Sequence, residues 1–70
     1  MFDYCKLRGR IKEVCMTQDA FAKAIGIGRV SLSQRLNNQL DFTQKEIYDS
    51  VNALNLEIGD IPSYFFTKKV

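Results

Sequence analysis

The sequence predicts an all-α chain, a compact bundle of four to five helices. Apolar residues recur at helical spacing in four successive segments, and residues that cap or stop a helix stand between those segments. The composition agrees: 46% of the 70 residues are hydrophobic, with one proline and no tryptophan, which suits a packed helical bundle better than a disordered tail. The chain reads as one domain, residues 1–70, of a size that removes only about 60% of its unfolded surface from water.

The first helix is expected over about residues 4 to 15, where Tyr4, Leu7, Ile11 and Val14 mark one face and Asp3 is placed to cap the start. Gly9 weakens its middle by about 1 kcal/mol relative to Ala. Thr17 can cap the second helix, Asp19 sits in its first turn and Phe21 and Ile25 face one way. Gly26 ends that helix by taking a left-handed conformation. A third helix follows Gly28, buries Leu32 and Leu36, and stops near Asn37 and Asn38. In the fourth, about 44 to 54, Thr43 and Glu46 form a capping box, Ile47, Val51 and Leu54 share a face, and Asn55 is the stop. The last stretch has two readings: Asp60 and Pro62 can open a helical turn, whereas Tyr64 to Val70 has the composition of a strand. The expected core is Leu7, Ile11, Phe21, Ile25, Leu32, Leu36, Ile47, Val51 and Leu54.

Several function classes are set aside. With no histidine, and with Cys5 and Cys15 too sparse for a disulfide framework, neither a metal nor a disulfide scaffold is expected. On one helix those two thiols would lie roughly 15 Å apart. Glu13, Asp19, Cys5 and Cys15 have no histidine beside them, and so small a bundle leaves little room for a substrate pocket, so no enzyme, cofactor or small-molecule ligand is expected. No run approaches the roughly 18 apolar residues of a membrane span, and the expected location is the cytoplasm.

Charge is unevenly spread. Residues 1–38 carry seven basic and three acidic side chains, a net +4, and residues 39–70 three basic and five acidic, a net −2. The basic half contains "TQDAFAKAIGIGRVSLSQRLNN", residues 17–38. Two short helices joined there by a three-residue turn can cross steeply because Ala22 and Gly26 are small at the crossing. The spacing of Gln18, Ala22, Gly26 and Leu32 is that of a helix-turn-helix.

These residues resemble the Cro/repressor-type (XRE-like) family of phage and bacterial transcription regulators, and the whole chain resembles the very short regulators of phage lysogeny modules. The sequence departs from the family pattern at three positions: Gly28 for the usual Ser cap, Asn38 for the usual Gly, and Arg35 where an apolar residue is common. The resemblance implies a phage repressor-like fold that reads the major groove of a pseudo-palindromic operator with its third helix, as a homodimer at least on DNA. Arg29, Val30 and Gln34 are the implied base readers, with Ser33 beside them. A helical wheel with Leu32 and Leu36 inward also turns Val30 and Gln34 outward. Thr17, Gln18, Asn37 and Asn38 match backbone-contact positions, and Arg10, Lys23 and Lys45 are further phosphate candidates. Tyr64, Phe65 and Phe66 either cover a second subunit or close the monomer core. The expected function is therefore a sequence-specific transcriptional repressor on double-stranded DNA. The alternative is a protein-binding module, an antirepressor or antitoxin, on the same fold.

Overall fold

A computed structural model describes all residues, 1–70. Five helices follow one another: α1 (Cys5–Cys15), α2 (Gln18–Ala24), α3 (Arg29–Leu36), α4 (Gln44–Ala53) and, after a 3-10 turn at Ile58–Asp60, α5 (Ile61–Phe65). No strand forms. A single antiparallel bridge, Phe2 to Lys68, closes the termini on each other, with the Asp3 amide donating to the Thr67 carbonyl at 2.7 Å. The tail is thus a short helix followed by one bridged residue, and Pro62 occupies the first turn of that helix, where its missing N–H costs nothing.

Thr17 and Thr43 cap their helices as expected, whereas Asp3 stands one residue before the N-cap of α1, Tyr4, which makes no side-chain cap bond. The Asp3 carboxylate accepts the Cys5 amide at 2.9 Å. Thr17 accepts the Ala20 amide at 3.1 Å, and the capping box of Thr43 and Glu46 is complete. Three helices end in the same way. After α2, α3 and α4 the chain turns through a positive φ at Gly26 (75°), Asn38 (63°) and Asn55 (55°). In each case the next amide reaches back to the last full turn: Ile27 to Ala22 at 3.0 Å, Gln39 to Gln34 at 2.8 Å and Leu56 to Val51 at 2.9 Å. These are Schellman closures, which satisfy carbonyls that a helix end otherwise leaves orphaned.

Leu7, Ile11, Phe21, Ile25, Leu32, Leu36, Val51 and Leu54 are buried as expected, and Tyr4, Ala22 and Phe65 join them. Two expectations are corrected. Val14 is exposed, because the buried row of α1 runs Leu7, Ile11 and then Cys15, four residues apart each time, leaving Val14 off the stripe. Ile47 is only half-buried at the edge of the core; the side of α4 that turns fully inward carries Glu46, Ser50 and Val51. Nothing in the structure explains Gly9, whose surroundings are open.

Candidate functional site

The turn that joins α2 to α3 is built by Gly26, and Ile27 behind it is half-buried against the core, which fixes the two helices as a unit. The outer side of α3 then carries Arg29, Val30, Ser33 and Gln34. Val30 is 72% exposed, Arg29 and Ser33 are exposed, and Gln34 is half-buried. Thr17 and Gln18 stand at the exposed start of α2, beside Lys12 and Arg8 on a shallow depression of about 240 Å³.

The cations of this half are mostly occupied. Arg29 lies 3.4 Å from Asp19, both side chains more than half exposed. Arg35 is held between α3 and α4: its Nε donates to Glu46 Oε1 at 2.7 Å and its Nη2 to Oε2 at 3.1 Å, while Nη1 donates to the Ser31 carbonyl at 2.9 Å. Its side chain keeps 14% exposure and that of Glu46 11%. Burial works against the Glu46 carboxylate, but the bonds from Arg35 and Thr43 outweigh it and hold the carboxyl below its ordinary range. This pair accounts for a guanidinium where the helix-turn-helix pattern commonly has an apolar residue: the fork reaches past the core edge to the capping-box glutamate of the next helix. An arginine at an apolar position eleven residues before that glutamate was the available signal.

Two further arginines serve the fold. Arg8 donates to the Leu36 carbonyl at 3.0 Å and to Asn37 Oδ1 at 3.1 Å, and Arg10 donates to the carbonyls of Leu54 and Asn55 at 3.0 and 3.3 Å. The two arginines of α1 therefore cap the negative ends of α3 and α4. Arg10, a phosphate candidate in the sequence, has its guanidinium committed to α4. Asn38 is committed as well: its side chain accepts the Phe2 amide and donates to the Phe2 carbonyl, both at 2.9 Å, in the manner of a strand neighbour. Asn37 is exposed but shared between Arg8 and Ser33.

Lys23 and Lys45 border one open depression between the end of α2 and α4, about 540 Å³ in volume. Lys45 bonds Asp49 at 2.8 Å, and that bond raises the ammonium above its ordinary range. The three tail aromatics part company. Phe65 is 1% exposed and stacks edge-on against Phe42 at 5.2 Å, so it closes the monomer core and is unavailable as a subunit contact. Tyr64 is half-buried with Lys6 Nζ 4.8 Å from its ring, while Phe66 is 50% exposed against Phe2. No three His, Cys, Asp or Glu side chains converge as metal ligands, and no helix is long and apolar enough to cross a membrane.

No curated protein matches the chain. Among solved structures, it is similar to the modulator of repression (MOR) of the temperate bacteriophage TP901-1 from Lactococcus lactis, determined in solution. The two are 42% identical, with 99% of this chain and 93% of that chain covered and a TM-score of 0.82. The sequence profile of a family described as a protein of unknown function, DUF739, matches residues 1–68. With nearly its whole length matched, the chain belongs to the DUF739 family.

Proposed function

We propose that this protein is a phage-type regulator that modulates repression by binding another protein of the repression machinery, using a repressor-like helical fold without holding an operator alone. The observation that carries this reading is the fate of its arginines. Three of the four are tied to carbonyls or to Glu46, and the fourth faces Asp19. Lys23 is then the one cation on α2 and α3 outside any ion pair. A DNA reader draws much of its affinity from phosphates neutralised by Lys and Arg. The likeness to a modulator of repression supports the regulatory setting.

A second reading is favoured by the exposure of Arg29 and Val30 at the tip of α3. There the protein is a Cro/repressor-type homodimer that places α3 in successive major grooves about 34 Å apart. An exposed pair such as Arg29 with Asp19 is held weakly and can open toward a guanine edge.

Selection of bound duplexes from a random DNA pool, with binding followed across salt, separates the two. Protein-mediated regulation gives weak, sequence-independent binding, with a slope of log K on log salt of about −2 or shallower, the value for no more than two neutralised phosphates. Direct reading by a dimer that neutralises about six phosphates gives about −5. Enrichment of a two-fold symmetric sequence by the protein alone would overturn the first reading, and its loss on Arg29→Ala with Gln34→Ala would place the reading on α3.

A further inference from the structure

An apolar groove runs between α4, the 3-10 turn and α5. It is lined by Phe42, Ile47, Tyr48, Ile58, Ile61 and Phe66, with Gln44 among them, and has a volume of about 510 Å³. Tyr48, Ile58 and Phe66 are 57%, 65% and 50% exposed, a cost in solvent contact that the folded monomer does not relieve. The groove continues past Phe66, because Phe42, Ile47 and Phe66 also line a second depression of about 290 Å³ that ends at Asp41. Its one polar lining residue, Gln44, is neutral, and the charged residues next to its lining are acidic. Glu57 and Asp60 flank Ile58 and Ile61 in the chain, Asp41 closes the far end, and none of the three has an ion-pair partner. The nearest cation on α4, Lys45, is already neutralised by Asp49, and the tail lysines Lys68 and Lys69 lie beyond Phe66 where the chain bridges to residues 1–3.

We infer that this groove is the docking site for an amphipathic helix of another protein, one that carries lysine or arginine beside its apolar stripe. The inference rests on the proposal that the protein works through a protein partner, and it assigns that partner's chemistry. Apolar anchors at helical spacing would fill the groove, and their basic neighbours would meet Asp41, Glu57 and Asp60. Acidic borders disfavour nucleic acid here. They also disfavour a second copy of this chain docked face to face, which would set acid against acid. The chain's own basic segment cannot serve either, because Leu7 and Ile11, the apolar residues among Lys6 to Lys12, are wholly inside the core.

The test uses the full chain, labelled for amide NMR, and a synthetic helical peptide of about 16 residues, roughly four turns, with leucines on one face and lysines beside them. A second peptide replaces each lysine by glutamate. The lysine peptide is expected to shift amides around Phe42, Tyr48, Ile58 and Phe66, and to bind at least about tenfold more tightly than the glutamate peptide. Ile58→Lys, at an exposed position, should keep the fold and abolish those shifts. Equal binding of both peptides, shifts centred on α3, or no binding at all would overturn the inference. So would a concentration-dependent dimer of the protein alone that Ile58→Lys dissolves, since the groove would then be occupied by a second copy. Groove binding together with selection of an operator would leave this site standing while refuting protein-mediated action, so the two proposals fail separately.

Discussion

Replacing Arg35 by Met cuts the tie between α3 and α4 while keeping a long apolar stem. The variant loses two charge-assisted bonds to Glu46 and one to the Ser31 carbonyl, and leaves Glu46 ionised with the Thr43 groups as its remaining partners. Removing one member of a fully buried pair costs about 3–5 kcal/mol. Here each side chain keeps more than a tenth of its exposure, so water offsets part of that, and the expected loss is about 2–3 kcal/mol. For a domain of this size, total stability is about 4–10 kcal/mol and each kcal/mol moves Tm by about 4–8 °C, so Tm should fall by about 10–20 °C. Urea denaturation followed by circular dichroism measures the loss, with an unchanged m-value confirming that both states are comparable. Glu46→Gln in the same assay, alone and combined with Arg35→Met, completes a cycle whose coupling should be about 1–2 kcal/mol. A cost below about 0.5 kcal/mol for Arg35→Met, or additivity in the cycle, would refute the account of Arg35 as the clamp between the two helices.

Four further outcomes are expected. Glu46 has a lower carboxyl pKa when folded than its ordinary 4.5, so its contribution is fully present above that value and lost as pH falls through the folded one; the urea midpoint should hold down to about pH 5 and drop below about pH 4.5, less steeply in Glu46→Gln. Asn38→Gly keeps the left-handed turn but loses both bonds to Phe2, and should cost about 1–2 kcal/mol; a stabilised variant would mean the N-terminal tie contributes nothing. Gly26→Ala meets no atom within 4 Å but must adopt φ 75°, so chemical denaturation should register about 1 kcal/mol from backbone strain alone. Phe65→Ala should cost about 3–5 kcal/mol and Phe66→Ser little, a contrast in thermal melts that follows from 1% against 50% exposure.

The helices and their ends are legible in the chain alone, because those features are settled within about one turn. A threonine cap reaches an amide three residues on, as at Thr17 and Thr43, and an apolar row repeats every three or four residues. Gly26, Asn38 and Asn55 end their helices through their own backbone preference, so each stop was legible from a single residue and its neighbours. Where the charges go depends on the packed fold. Arg8, Arg10 and Arg35 find partners 28, 44 and 11 residues away. No local pattern separates an arginine that caps a distant helix from one left free for phosphate, so three of the seven cations in the basic half are tied into the fold while Lys6, Lys12, Lys23 and Arg29 stay exposed. The tail was undecided for the same reason. Tyr64, Phe65 and Phe66 are alike in composition, yet one is core, one half-covered and one exposed, because burial depends on which side of the short α5 meets Phe42 and which meets solvent.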